Sequence, residues 1–151
     1  VEPIEGVTVH VFVCHLKSKR TVDGDKESIR WRSAEATALR GLVDELLSED
    51  PKALIAVTGD LNDTADSVPL QLVRGDELPE ARQLVDVHAH LEGEESHTYL
   101  REPYVSKIDY ILVSQELADH LVEGSAKVIH LENMELASDH APVVATFEIS
   151  E

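Results

Sequence analysis

The sequence predicts an α/β (α+β) fold in which a mixed β-sheet is flanked by helices. Residues 7–15 alternate apolar and other side chains with period two, as a strand does, and residues 108–113 form another strand pattern. Residues 27–48 change to the three- and four-residue spacing of an amphipathic helix, and residues 53–58 form an unbroken apolar run. Strand, helix and strand within ~55 residues make a β-α-β unit with two parallel strands.

The length and charge are those of one strongly acidic domain. The chain has 151 residues, with 30 Asp and Glu against 13 Lys and Arg, and a net charge of −17. This charge argues against a surface that wraps a nucleic-acid duplex, unless the cations cluster. Two small clusters occur, at Lys17, Lys19 and Arg20 and at Arg30 and Arg32. The acidic excess favours adaptation to salt, or solubility, over a direct role in metal binding.

The termini and cysteine content set few limits on location. We expect neither a membrane span nor a signal peptide, because no run of 18 apolar residues and no charged-then-apolar start occurs. The chain begins at Val1 in place of methionine, so it is compatible with a piece of a longer protein. The lone Cys14 excludes an intrachain disulfide.

The first strand is predicted from valines at alternate positions. Val7, Val9, Val11 and Val13 share one face, and His15 continues that face where the apolar pattern ends. We therefore expect His15 to point inward at a strand end. A polar loop follows, and the helix is then predicted from the recurring apolar residues Ala36, Leu39, Leu42, Val43, Leu46 and Leu47.

The second strand is predicted to be buried on both faces and to end at Gly59. If the backbone stays extended beyond Gly59, the side chains of Asp60 and Asn62 project to the same side. Such a pair can bind a metal, orient a water or hold a phosphoryl oxygen. An ordinary turn rich in Asp and Asn is the alternative interpretation of this stretch alone.

Shorter elements complete the predicted fold. A short helix is expected over residues 67–73, a third clear strand over 108–113, a weaker strand over 126–131 and a fourth clear strand over 143–149. Asp109 falls on the apolar face of the third strand, where a carboxylate needs a partner.

Polar residues gather at the ends of the first two strands and at the starts of the last two. If the last two strands run antiparallel to the first two, these residues meet at one edge of the sheet. A cluster of carboxylates and histidines at a buried edge usually indicates chemistry. The predicted cluster comprises His15, Asp60, Asn62, Asp109, Asp139 and His140.

Four segments in order resemble motifs of the endonuclease/exonuclease/phosphatase family, which includes deoxyribonuclease I. They are HLKS at 15–18, GDLND at 59–63, IDYILVS at 108–114 and SDHAP at 138–142. The resemblance implies a divalent-metal-dependent phosphoester hydrolase, in which water attacks phosphorus in line with the leaving group. It also implies Mg²⁺ or Mn²⁺, with Ca²⁺ as an alternative.

The resemblance further implies a role for each matching residue. Asp60 would orient or deprotonate the attacking water, and Asn62 would stabilise the transition state. Asp109 would fix the tautomer of His140, which would contact the scissile phosphate or transfer a proton. His15 would donate to a phosphoryl oxygen.

The metal and substrate contacts implied by the resemblance are less specific. Asp139, with Asp60 and Asn62, would hold the ion. Lys17 and Arg32 are candidates for contacts with substrate phosphate, although solvated charge explains them equally well. Nuclease-like activity on nucleic acid or a small phosphodiester is favoured over a lipid or inositol phosphate phosphatase, because LKSK at 16–19 and the acidic character, which is compatible with a secreted protein, resemble bacterial nuclease-like members.

One departure from the family concerns its N-terminal half, which supplies the principal metal-binding glutamate and has no counterpart here. Residues 1–151 therefore resemble a C-terminal portion, one half of a four-layer α/β/β/α sandwich. The apolar face of the sheet would then need the missing half or a second copy, as a homodimer, to cover it. A catalytically incomplete module is the alternative function.

Three other features favour a structural interpretation. His88 and His90 share a face, but no third ligand is evident, so a solvated loop is the preferred interpretation. Trp31 is expected to pack within the helix layer. Cys14 precedes His15, so their side chains point to opposite faces and a Cys-His nucleophile is disfavoured.

Overall fold

The computed structural model describes residues 1–2 and 6–149. Strand β1 spans Val9–His15, helix α1 spans Ile29–Glu49 and strand β2 spans Leu54–Asp60. Strands β1 and β2 pair in parallel, so the predicted β-α-β unit is confirmed. Helix α1 starts where the buried Asp25 carboxylate accepts hydrogen bonds from the backbone N–H groups of Arg30 and Trp31.

A mixed four-stranded sheet forms the centre of the fold. Strand β3 spans Val85–Asp86 and β4 spans Asp109–Val113, and the strand order is β1-β2-β4-β3. Strand β4 runs antiparallel to both of its neighbours. The predicted mixed sheet is therefore confirmed.

A second, two-stranded sheet contains β5 (Lys127–Val128) and β6 (Val143–Val144). Both strands are shorter than the sequence predicts. Residues 145–149 keep the alternation of half-buried and exposed side chains. Their backbone forms hydrogen bonds with an irregular segment after α3 instead of with a strand. Val122 N–H donates to Thr146 and Glu148 N–H donates to the carbonyl of His120.

Two short helices frame the loops. Helix α2 spans Val68–Arg74, which confirms the short helix predicted over residues 67–73, and the Ser67 hydroxyl accepts from the Leu70 N–H at its start. Helix α3 spans Gln115–Ala118. None of the helices in the described ranges is long and apolar enough to cross a membrane.

Helices α1 and α2 pack on one face of the sheet, whereas Leu117 of α3 packs on the other. The alternate β1 residues Phe12 and Cys14 join the core under α1 with Ile55 and Val57 of β2. The valine face of β1 is buried at Val9 but exposed at Val11 and Val13, so the prediction that this face points inward is wrong beyond Val9. The other face is covered near β5 and β6, but it is open along β1, where Val13 is 81% exposed. Among the β2 side chains, only those on the face that α1 covers, Ile55 and Val57, are fully buried.

Gly59 is required by the close approach of β1 and β2. Its φ is 128°, and a Cβ atom there would lie 2.0 Å from the carbonyl oxygen of Cys14. No L side chain fits this position without moving the strand.

Gly59→Ala is therefore expected to lower the free energy of unfolding by about 2–3 kcal/mol through backbone strain. Gly41→Ala is the matched control, because Gly41 lies within α1 and a Cβ there meets open space. That change should stabilise the protein by about 0.5–1 kcal/mol. Urea denaturation of both variants measures the difference, and shifts of equal sign would contradict the assignment.

His88 is buried between the two sheets, so the solvated-loop interpretation is wrong for this residue. Its Nε2 lies 3.1 Å from the carbonyl oxygen of Val144 and must donate, because a carbonyl only accepts. Its Nδ1 is buried and has no hydrogen-bond partner in the described part of the chain. Burial lowers the pKa of His88, because a second proton would occupy this unpartnered atom.

The protein should therefore lose stability as the pH falls below the ordinary histidine pKa of 6.5. Because the pKa is lowered in the folded state, the unfolded chain takes up the proton at a higher pH than the folded protein does. The free energy of unfolding therefore falls by at most about 1.4 kcal/mol per pH unit as the pH decreases. Melting temperatures at pH 7.5 and 5.5 should differ less in His88→Gln than in the wild type. His90→Gln, at an exposed position, should behave like the wild type.

Candidate active site

The predicted polar residues meet at one edge of the four-stranded sheet. His15 ends β1, Asp60 ends β2 and Asp109 starts β4. The register pairs His15 with Asp60 and Asp60 with Asp109, so the three residues stand side by side on adjacent strands. The carboxyl ends of parallel strands are the usual place for a site in such sheets.

Asp60 is the central carboxylate of this edge. Its Oδ2 lies 3.5 Å from His15 Nε2 and 4.0 Å from His140 Nε2. Burial raises the pKa of Asp60, and the negative charge of Asp109 raises it further. The hydrogen bond from the Asn62 N–H and the two histidines lower the pKa, but burial dominates. A carboxylate with a raised pKa is a better proton acceptor.

His140 is held by Asp109 in one orientation. Its Nδ1 lies 2.8 Å from Oδ2 of Asp109 and donates, since the carboxylate accepts. The Nε2 atom then faces Asp60. The predicted contact between Asp109 and His140 is thus present in the structure.

Asn62 reaches Asp60 by a turn, whereas the sequence reasoning assumed an extended strand. Its φ is 54°, so the backbone folds back after β2. The Asn62 N–H donates to Asp60 Oδ1, and Nδ2 donates to Leu16 O and Asp60 Oδ2. Within the described residues both amide hydrogens are thereby engaged, so the carboxamide oxygen is the atom of this side chain that could accept a ligand.

The expectation that His15 points inward is wrong. Its side chain is 75% exposed, because the valine face of β1 is uncovered beside it. It remains within 3.5 Å of Asp60 and therefore borders the site.

The possible metal ligands differ from those suggested by the sequence. Among the described residues, Asp60, Asp109 and His140 offer ligand atoms within 4.8 Å of one another. Asp139 is exposed, lies outside this group and contributes its backbone carbonyl to the Leu100 N–H. Two hard carboxylates fit Mg²⁺ or Mn²⁺, and their mutual repulsion favours a bound cation.

Arg32 is not available to a substrate, so that prediction is wrong. It is 1% exposed, and its Nε and Nη2 donate to Asp63 at 2.9 and 2.8 Å. Its Nη1 donates to the carbonyl oxygens of Lys17 and Glu27. Lys17 is half-buried, with its N–H bound to Glu35, and its ammonium group lies near the Ser18 hydroxyl.

Sequence reasoning missed two residues that position the site. The buried Thr98 hydroxyl accepts from the N–H groups of Ile108 and Asp109, and thereby fixes the start of β4. The Tyr99 ring packs edge-on against His140 at 5.1 Å. Residues 97–100 (HTYL) are compatible with a short strand, and this is the signal in the sequence that could have placed the segment beside the sheet.

Solved structures with this fold match most of the chain. Truncated TDP2 of Caenorhabditis elegans is 20% identical with a TM-score of 0.64, and the match covers 95% of this chain and 56% of that one. Beta toxin of Staphylococcus aureus is 18% identical with a TM-score of 0.60, covering 96% and 54%. The human Nocturnin catalytic domain is 21% identical with a TM-score of 0.56, covering 89% and 46%. These likenesses show the fold.

The chain spans about half the length of these structures. No curated protein sequence matches it at a significant level. Residues 2–141 match the sequence profile described as Endonuclease/Exonuclease/phosphatase family, which is nearly the whole chain. The chain therefore belongs to the endonuclease/exonuclease/phosphatase family.

Proposed function

We propose that this protein is a divalent-metal-dependent phosphodiesterase of the nuclease-like type. One observation carries the proposal: Asp60, with a raised pKa, lies 4.0 Å from His140 Nε2, while Asp109 fixes the other nitrogen of that ring. A poised base beside an oriented imidazole is the arrangement needed to activate water and bind a phosphoryl oxygen.

Each residue then has a defined task. Asp60 accepts a proton from the water whose oxygen forms the new bond to phosphorus, while the P–O bond to the leaving alcohol breaks and its oxygen takes a proton from solvent. His140 Nε2 and the exposed His15 face the same space and donate to phosphoryl oxygens when protonated. Asn62 holds the Asp60 carboxylate in place through two hydrogen bonds.

The carboxylates of Asp60 and Asp109, with the carboxamide oxygen of Asn62, are the groups that would hold Mg²⁺ or Mn²⁺. When bound, the ion would neutralise charge on the phosphoryl group and on the leaving oxygen. Asp139 as a further ligand, as the family resemblance implies, stays a prediction.

Hydrolysis of bis(p-nitrophenyl) phosphate tests the reaction class. We expect turnover with Mg²⁺ or Mn²⁺, loss of turnover with excess EDTA, and recovery when the ion is restored. Ca²⁺ is compared at equal concentration. Turnover that persists at full rate in EDTA would contradict the proposal.

The monoester p-nitrophenyl phosphate separates the two substrate classes. A nuclease-like enzyme should prefer the diester and cleave DNA or RNA. Preference for the monoester, or for inositol phosphates, would favour the phosphatase alternative.

We also propose that the open sheet face packs against another layer, supplied by an N-terminal half or by a second copy. Val13 and Val11 are exposed on this face, and an apolar face of this kind is usually covered. Sedimentation velocity tests the second copy, and a folded monomer with full activity would exclude both partners. An inactive chain that gains activity when it is joined to an N-terminal half would identify an incomplete module.

A further inference from the structure

We infer that the segment between β1 and the first turn of α1 binds a single-stranded nucleic acid outside the catalytic centre. Phosphates lie beside Lys17, Arg20 and Arg30, and one base stacks on Trp31. The inference rests on the proposed function, because it extends a phosphodiester substrate beyond its reacting phosphate. We call residues 17–32 the basic segment.

The basic segment reverses the charge of the protein locally. It holds six Lys and Arg against three Asp and Glu, and Asp63, which binds Lys19 and Arg32, still leaves it a net charge of +2; the other 135 residues hold seven against 27. Arg20 and Arg30 are exposed at its surface. A polyanion that is repelled elsewhere on this molecule is therefore attracted to this segment.

The basic segment is fastened to the catalytic edge. Asp63, one residue after Asn62, binds Lys19 at 2.7 Å and Arg32 at 2.8 Å. Arg32 also donates to the carbonyl oxygens of Lys17 and Glu27 at 3.0 and 2.9 Å. These contacts place the basic segment next to the loop that carries Asn62.

Trp31 supplies an aromatic surface on which a base can stack, and charge alone does not provide such a surface. The sequence predicts that it packs in the helix layer, yet its side chain is 53% exposed. It lines a shallow cavity of about 380 Å³ with Asp23, Asp25, Arg30 and Ala34. An exposed tryptophan beside an arginine is a stacking platform for a base.

The cavity suits a base better than a phosphate. Asp25 is buried, and its carboxylate accepts the backbone N–H groups of α1. Asp23 is exposed at the cavity, where it repels phosphate and can accept from an amino group of a base. Stacking requires an unpaired base, so the geometry selects a single strand over a duplex.

Trp31 is the only tryptophan of the chain and therefore reports binding directly. We expect a 12-nucleotide single-stranded DNA, titrated in EDTA, to quench its fluorescence saturably. Affinity should fall with salt with a slope of about −2 for three phosphate contacts. Sodium polyphosphate should bind without the same quenching. Equal quenching by polyphosphate, or none by DNA, overturns the inference.

Anisotropy of a labelled oligonucleotide measures the variants. Trp31→Ala should weaken binding about 5- to 150-fold, the range expected for one lost stacked base, and Trp31→Phe should recover part of it. Arg30→Ala should weaken binding and flatten the salt slope. Lys52→Ala is the control, because Lys52 precedes β2 at the opposite edge of the sheet. Equal loss in Lys52→Ala overturns the inference.

Two comparisons separate this inference from the proposed function. Quenching by DNA in a protein that cleaves no phosphodiester supports the surface and contradicts the enzyme. Cleavage of bis(p-nitrophenyl) phosphate without quenching by DNA supports the enzyme and overturns the surface. Anionic phosphatidylglycerol vesicles that shift Trp31 emission, where DNA does not, overturn it in favour of a lipid.

Discussion

Asp60→Asn is expected to lower kcat/KM for bis(p-nitrophenyl) phosphate by about 10²- to 10⁴-fold, the usual contribution of a positioned acid or base. Asparagine keeps the acceptor oxygen for the Asn62 N–H but takes no proton from water. It also removes one of the two carboxylates that would hold the metal. Because the proton acceptor is missing whether or not the metal is bound, the loss of activity should persist at saturating Mg²⁺.

Folding is expected to survive this substitution. Because burial raises the pKa of Asp60, the ionised carboxylate costs stability above that pKa, and this cost disappears in the neutral variant. The melting temperature at pH 7 should be equal to or above that of the wild type. A large drop would mean that lost activity reports lost structure.

Asp66→Asn is the matched control for Asp60→Asn. Asp66 is exposed six residues later and accepts from the Thr64 hydroxyl. The activity of Asp66→Asn should stay within about twofold of the wild type. Neutral surface changes rarely move stability by more than about 0.5 kcal/mol, so the folded site should be unchanged. Equal losses in the two variants would remove Asp60 from the proposed role.

The meeting of Asp60, Asp109 and His140 could be predicted from the sequence because strand parity is a local property. A side chain at a known position of an alternating strand has a known face, and strand ends share an edge. The antiparallel direction of β4 is one long-range assumption, and the register confirms it, whereas the last strand, β6, pairs with β5 in a second sheet. The position of His140 could be predicted in the same way, because a carboxylate on an apolar face needs a partner and the His140 ring nitrogen is that partner of Asp109.

Other features depend on contacts that no local pattern records. Asn62 reaches Asp60 through a left-handed backbone, which a period-two argument cannot describe. Val11, Val13 and His15 face outward, because a valine face is buried only where another layer covers it. Trp31 is exposed and Arg32 is buried, the reverse of what residue type alone suggests.

Arg32 explains why the loop after Asn62 is ordered. A buried arginine is stable only when its donors are satisfied, and this guanidinium bonds Asp63 and two backbone carbonyls. Asp63 in turn accepts from Lys19, while its carbonyl accepts from the Tyr110 hydroxyl. The ion pair thus joins α1 to the loop that carries Asn62.

Arg32→Ala is expected to lower the free energy of unfolding by about 3–5 kcal/mol, because it leaves the buried Asp63 carboxylate short of a partner. Arg30→Ala, two residues earlier and exposed, should change it by no more than about 0.5 kcal/mol. Urea denaturation measures both.

A double-mutant cycle separates the unpaired charge from the lost packing. Arg32→Met retains much of the side-chain volume but leaves Asp63 without its main partner, so it should be nearly as destabilising as Arg32→Ala. Adding Asp63→Leu removes the uncompensated carboxylate, and the double variant should regain stability relative to Arg32→Met alone. If the two losses simply add, the cost of Arg32→Ala comes from the cavity and not from the buried charge.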